Sequence, residues 1–214
     1  MPKCYSDAER STIRSRLMQE ALCSLRSRGV RGTTVDHLVS RAGIPKGTFY
    51  LFFPSKEMLL YEAIEAQQLL CEERLCAAVS RALPSSCPVE ALTEALAVFF
   101  EEEVRCTPIA HLDGHEMELL AQKLPACVLD AHIARRRSMF ARVFGSLLSD
   151  DSADLLPLCS AFHAVYLCAL HNQHTRLLSS QDQSVSLRLL LRGLVLQLLP
   201  SQTTPQGGTH ANRP

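Results

Sequence analysis

With 214 residues the chain has room for one large or two small domains around a sizeable core. Its 22 Lys and Arg balance 22 Asp and Glu, a neutrality that by itself speaks against nucleic acid as a partner. Nine cysteines with no C-x-x-C spacing exclude the disulfide framework of a small secreted domain and read as free thiols in a reducing cytosol.

The polar opening MPKCYSDAER reads as carrying no secretory leader. Residues 8–28 are predicted as the first helix: Ile13, Leu17, Ala21 and Leu25 recur at four-residue steps, and Gly29 follows as its stop. The stretch from Thr33 to Lys56 then reads as two short helices, a tight turn and the start of a third. Thr33 stands as the N-cap, with Asp36 in the place of a capping-box acid. Val35, Leu38, Val39 and Ala42 give that helix one apolar face. Gly43 and Pro45 break it, glycine because it takes positive φ and proline because it suits a first turn. In the next helix Phe49 and Phe53 point inward together beside Ile44, which leaves Lys46, Thr48 and Tyr50 facing outward. A helix, a glycine turn and a second helix presenting a cation, a hydroxyl and a phenol is how a helix-turn-helix meets a DNA groove.

The net charge hides an asymmetry of the same sense. Residues 1–56 hold ten basic and four acidic side chains, a balance of +6, and the remainder carries −6. A basic head on an acidic body suits a protein that docks one end on phosphates.

The segments RGTTVDHLV, RAGI and KGTFYLFFPSKEMLL resemble the DNA-binding region of the tetracycline-repressor-like (TetR) family of bacterial regulators. The resemblance covers about the first quarter of the chain; beyond it only helix count and length agree. It implies an all-α fold, with an N-terminal three-helix helix-turn-helix DNA-binding domain (1–55) and a C-terminal helical ligand-binding and dimerisation domain (56–200). It also implies DNA contacts from Thr33, Thr34, Pro45, Lys46, Gly47, Thr48, Tyr50, Phe52 and Lys56. Base edges would be met by Pro45 to Thr48, and phosphate by Tyr50, Lys56 and the start of the Thr33 helix. Lys56 is unusual for a first helical turn on dipole grounds, and the family reading gives it a phosphate. The sequence departs from the family where Leu25 replaces a common Phe and where Phe52 replaces a Tyr or His.

Ser55 should cap a long helix over 56–80, and Ala82 to Pro88 is a linker. Further helices are expected at 89–105, 108–122, 126–148, 152–176 and 184–199. The polar, Pro/Gly-rich tail 201–214 reads as disordered. Cys23, Cys76, Cys127, Cys159 and Cys168 fall inside apolar helical patterns and read as small hydrophobes. The last two helices are apolar nearly all round, but arginines within the last argue against a membrane span. Burial by their own core on one side and by a second subunit on the other fits better, and the resemblance implies a four-helix homodimer interface there.

The resemblance further implies an effector pocket in the body. The candidates on its middle helices are Phe99, Glu103, His111, His115, Met117, Phe140, Phe144, His163 and Tyr166, although such a stripe also suits plain core. His111 and His115 stand four apart, yet HEMEL is not HExxH and no third ligand is evident, so neither metal nor cofactor is expected. Arg135-Arg136-Arg137 reads as a solvated face or as the partner of Glu101-Glu102-Glu103.

The reading is a cytoplasmic, ligand-responsive transcriptional regulator and not an enzyme. It would be a homodimeric repressor released from double-stranded operator DNA by a small, largely apolar effector, with no membrane partner. The alternatives are a small-molecule-binding or enzymatic α-bundle, or a regulator that is activated or redox-controlled. No GxSxG elbow, glycine-rich phosphate loop or HExxH supports the enzyme.

Overall fold

A computed structural model describes residues 5–107, 109, 112, 114–147, 155–172 and 179–199. All of the regular structure among them is helical. Helix α1 (Asp7–Gly32) begins at a capping box, in which the Ser6 amide donates to Glu9 Oε2 at 2.8 Å and the Glu9 amide to Ser6 Oγ at 3.3 Å. Its buried stripe is Ile13, Leu17, Ala21 and Leu25. Gly29 does not end this helix as expected. It kinks it, at φ 66° and ψ −170°, and one further turn runs to Gly32.

Helix α2 (Val35–Ala42) is capped by Thr34, whose hydroxyl accepts from the His37 amide at 3.2 Å. The cap therefore lies one residue beyond the expected Thr33. The extra turn of α1 draws Thr33 into the interior, fully buried, where its hydroxyl donates to the Gly29 carbonyl at 2.7 Å. Asp36, freed from capping, pairs with Lys46 at 2.9 Å. Gly43 closes α2 in the left-handed conformation at φ 69°. Helix α3 (Lys46–Phe49) is one turn long and continues as hydrogen-bonded turns to Phe53.

Helix α4 (Lys56–Ala82) starts where Ser55 accepts from the Met58 amide. After it come α5 (Pro88–Cys106), α6 (Gly114–Gln122), α7 (Ala126–Phe144, prolonged by a 3-10 turn at Gly145–Leu147), α8 (Leu155–Asn172) and α9 (Ser180–Leu198). The last helix starts four residues earlier than the apolar pattern suggested, because Ser179 caps it through the Asp182 amide. The expected disordered tail, the start expected of the helix at 108–122, the end expected of that at 126–148 and both ends expected of that at 152–176 lie outside the described residues, while α6 ends at Gln122 and α7 begins at Ala126 as expected. No described helix is long and apolar enough to cross a membrane.

Two apolar cores result, and α4 serves both. Leu59, Leu60, Ala63 and Ile64 join α1, α2, Phe49 and Phe53 in the first; Leu75, Val79 and Ala82 join α5, α7, α8 and α9 in the second. Each fully buried leucine contributes about 1.5–3 kcal/mol, so both ends of α4 are fixed and it runs between head and body as one rod. Leu120 of α6 and Leu124, just beyond it, also enter the head's core.

The cysteines divide differently from expectation. Cys71 is buried and Cys76 and Cys159 are half-buried, but Cys23, Cys127 and Cys168 are exposed. Each of these three stands on the side of its helix that the chain's own cores leave uncovered.

Candidate nucleic-acid interface and effector site

The turn Gly43-Ile44-Pro45 sets α3 across the end of α2, and Phe49 and Phe53 anchor it, both fully buried with ring centroids 6.1 Å apart. Opposite these anchors the surface carries Pro45, Lys46 and Gly47, all exposed, and Tyr50, 53 % exposed and edge-on to Phe49. Thr34, also exposed, stands at the start of α2. A cation, a bare backbone at Gly47, a phenol and a helix N-terminus thus share one rigid ridge. Lys46 keeps its proton firmly, since its bond to the exposed Asp36 carboxylate raises its pKa.

Three candidates sit otherwise than the sequence suggested. Thr48 is buried, not outward: it is only 100° around the helix from Phe49, so the anchor carries it inward, where the Oη of Tyr5, just ahead of α1, lies 3.3 Å from its hydroxyl. Thr33 is interior, as described above. Phe52 is half-buried, with the Arg10 guanidinium 5.2 Å from its ring centroid.

Lys56 has an employment that the sequence did not reveal. Its ammonium donates to the carbonyls of Val30 at 2.8 Å and Thr33 at 2.7 Å. The kink at Gly29 strips the end of α1 of its usual partners, and the lysine satisfies them. A cation at the N-terminus of α4 opposes that helix's dipole, and this anomaly was the available signal that a stronger local demand held it.

From the other side the same kink is held by the body. Glu116 of α6 accepts from the Val30 amide at 2.9 Å and from the Arg31 amide at 3.5 Å. A β-carbon at position 29 would fall 2.1 Å from that carboxylate oxygen, so this approach requires glycine for space as well as for φ. His115 and Met117 flank Glu116 and are exposed rather than lining an interior, because α6 turns Leu120 inward. His115 meets the Arg31 guanidinium instead. His111 lies outside the described residues.

The other body candidates do come together. Phe140 and Phe144 are buried and close on Phe162, with centroids 5.4 and 5.1 Å away. Phe99 is half-buried beside Phe100, and Phe100 meets Tyr166 edge-on at 5.9 Å. Glu103 is buried, receiving the Cys71 thiol at 2.8 Å and Arg74 at 2.9 Å. Burial, then that bond, pushes the Cys71 thiol up to about 12, so it stays protonated. Burial likewise raises Tyr166, whose hydroxyl bonds to Thr107. His163 is half-buried; burial, then the nearby Arg136 guanidinium and His132, pulls it down to about 4, so it is neutral at pH 7.

The three arginines of α7 separate. Arg135 pairs with the buried Glu65, which also bonds His132 Nδ1 at 2.6 Å. Arg136 is half-buried and Arg137 exposed. None of them meets the acids of α5: Glu101 is held by Arg188 and Ser184, and Glu103 by Arg74, because α9 and α4 rather than α7 flank that face of α5. Cys71, Glu65, His132 and Phe162 were not singled out by the sequence, since each looks like an ordinary helical residue until its neighbour is known.

Residues 17–63 match the family model described as bacterial regulatory proteins, tetR family. No curated protein matches the chain. Among solved structures, a TetR-family transcriptional regulator from Streptomyces coelicolor aligns at TM-score 0.58 and 16% identity, over 88% of this chain and 96% of that one. RolR in complex with resorcinol aligns at 0.52 and 19%, over 92% and 99%. FadR from Bacillus subtilis in complex with stearoyl-CoA aligns at 0.51 and 14%, over 87% and 97%. At these identities the likeness is one of fold.

Proposed function

We propose, for a chain whose residues 17–63 belong to the tetR family of bacterial regulatory proteins, that it is a ligand-responsive DNA-binding transcriptional regulator, a homodimeric repressor released from its operator by a small effector. The observation that carries this is the ridge of Pro45, Lys46, Gly47 and Tyr50 on a fully packed three-helix head. Tyr50 supplies a phosphate contact, Lys46 carries its positive charge to the base edges between the phosphates, and Gly47 lets the backbone of α3 approach the groove wall. Lys56 contributes through the kink it holds and, with part of its charge, to the phosphates.

The dimer is supported by an apolar row left uncovered on the last two helices: Leu156 and Leu167 of α8, and Val185, Leu189, Leu190 and Leu196 of α9, each more than 40 % exposed. A monomer has no use for such a row, and a two-fold partner covers it with its own copy. Two heads then reach half-sites about 34–36 Å apart. That RolR and FadR carry resorcinol and stearoyl-CoA supports an effector site within the same fold. The path from body to head is α4, rooted in both cores, together with the Glu116 contact on the kink. A coupling of about 1–3 kcal/mol over that path changes occupancy about 5- to 150-fold.

The test is selection of a duplex from a random library by the purified protein, followed by titration of wild type and Lys46→Ala against salt. The variant is expected to melt as wild type does, bind more weakly, and lose about one unit of the log affinity–log salt slope. A wild type that enriches no duplex, or a Lys46→Ala protein with unchanged affinity and slope, overturns the reading.

A further inference from the structure

Much of the positive charge of the head is spent within the protein. Lys46 pairs with Asp36 at 2.9 Å and Arg41 with Glu20 at 3.1 Å, while Arg14 pairs with Glu62 and Arg31 meets His115. Lys56 serves two carbonyls of the kink. Arg10 is placed differently. It is exposed, one turn into α1, and no carboxylate among the described residues holds it. Glu9, its neighbour in sequence, is turned back to Ser6 by the capping box, and Glu62 is taken by Arg14. What holds the guanidinium is a ring: its carbon stands 5.2 Å from the centroid of Phe52.

The ring is itself fixed. Phe52 packs against the head's core, and its amide donates to the Phe49 carbonyl at 2.9 Å. It ends a short strip whose other members, Tyr50 and Leu51, are exposed. Tyr50 and Phe52 are two residues apart, so their α-carbons lie within about 7.6 Å of each other. The start of the chain ahead of α1 is tied to the same strip's helix, where the Tyr5 hydroxyl lies 3.3 Å from Thr48 Oγ1. The place of Arg10 beside α3 is thus fixed twice, at Thr48 through its own helix and at Phe52 through its side chain. A free arginine gives up rotamer freedom when it binds a phosphate, and one already laid on a ring gives up less.

We propose that Arg10 is a phosphate ligand with Phe52 as its platform, so that the DNA footprint runs beyond the helix-turn-helix onto α1. Tyr50 meets one phosphate, and Arg10 takes another of the same strand, where phosphates recur about every 3.4 Å of axis. A guanidinium suits the task because it offers a phosphate two parallel bonds while its face stays on the ring. The contact supplies affinity and position but reads no base. It rests on the DNA-binding reading above and adds to it a contact from outside the two helices and their turn.

The test titrates the full-length protein with the duplex it selects and with a scrambled duplex of the same length, across salt concentrations. Arg10→Gln is expected to melt as wild type does, because the residue is exposed. It should bind both duplexes about fivefold or more weakly at about 0.1 M salt and lose about one unit of the log affinity–log salt slope. Arg137→Gln removes the same charge from an exposed site on the body and should keep the wild-type slope. Phe52→Leu keeps the charge and the apolar packing but removes the platform. It should weaken binding about two- to threefold, and should do nothing further in Arg10→Gln. Arg10→Gln with wild-type affinity and slope, a slope lost equally by Arg137→Gln, a loss confined to the selected duplex, or Phe52→Leu acting in full without Arg10 overturns the inference. Should Arg10→Gln not fold, Arg10→Ala, with the residue of highest helix propensity, takes its place. A protein that enriches a duplex and responds to Lys46→Ala but not to Arg10→Gln refutes only the inference. One that binds every duplex alike, with the Arg10 loss intact, refutes only the regulator, and one that binds no duplex refutes both.

Discussion

In the head, the side chains that α1, α2 and α3 turn inward all meet one another. Leu17, Ala21, Leu25, Leu38, Phe49 and Phe53 are each fully out of water, and the helix ends carry their own caps at Ser6, Thr34, Gly43 and Ser55. In the body, α8 and α9 bury one row and expose another, and carboxylates are drawn inside to pair: Glu65 with Arg135 and the His132 ring, Glu72 with Arg142, Glu103 with Arg74. The head is complete as a single chain and presents a fixed surface. The body is incomplete in its apolar faces and polar in its interior, which suits a part that must take up a partner and a ligand. Rigid readout and adjustable sensing are thereby given to different kinds of packing.

The sharpest test of that contrast lies within α9, where adjacent leucines have opposite surroundings. Leu191 is fully buried and Leu190 is 53 % exposed. Leu191→Asp is expected to unfold the body, costing more than about 4 kcal/mol by loss of the buried leucine together with an unpaired buried charge. Leu190→Glu should keep the native circular dichroism and melt as a folded protein, yet sediment as a monomer. Wild type already monomeric at micromolar concentration, or Leu190→Glu still dimeric, removes the claim that the body is unfinished.

Acid should reach the body before the head. His163 stays neutral down to about 4 in the folded protein, against 6.5 for the ordinary side chain. The unfolded chain therefore binds a proton that the folded one refuses, and stability falls as pH drops from 6.5 towards 4. Solvent screening of this half-exposed ring keeps the loss well below the about 3 kcal/mol that the full shift would give, and His132, lowered first by burial and then by Arg136, acts in the same sense. Melting temperatures of wild type and His163→Phe across that window are the measurement; parallel curves would show that His163 does not titrate as its surroundings require.

The smallest expected effect concerns the seam between the two parts. Lys56→Met removes two hydrogen bonds to the Val30 and Thr33 carbonyls and should cost about 1–3 kcal/mol. Because that ammonium already serves two carbonyls, its removal should flatten the salt slope by less than Lys46→Ala does. An unchanged melting temperature with a full unit lost from the slope would make Lys56 a phosphate ligand and nothing more.

What the sequence made legible follows the same division. The head's structure is written in local signals: a four-residue apolar step, a left-handed glycine, a proline in a first turn, a serine cap. These determine helix type and boundaries within a few residues of their own position. The errors there arose where a distant group intervened, as when Lys56 and Glu116 stabilised a turn beyond Gly29 and moved the cap from Thr33 to Thr34. In the body, helix positions were readable but partnerships were not. Nothing about Arg135-Arg136-Arg137 in sequence says that the first pairs with Glu65, the second is half-buried and the third faces water. That outcome depends on which helix lies opposite, a matter of tertiary geometry that periodicity does not contain.

The kink at Gly29 also gives the molecule a point where it can be listened to. The Val30 amide belongs to the head by chain, yet its hydrogen is held by a carboxylate from the body. Its proton shift and its exchange with deuterated solvent are therefore set by α6, while the amides of Leu17 or Ala21, a few turns away in the same helix, are not. Comparing these signals within one spectrum would separate movement of the body against the head from loosening of the head itself, with no label added and no residue changed.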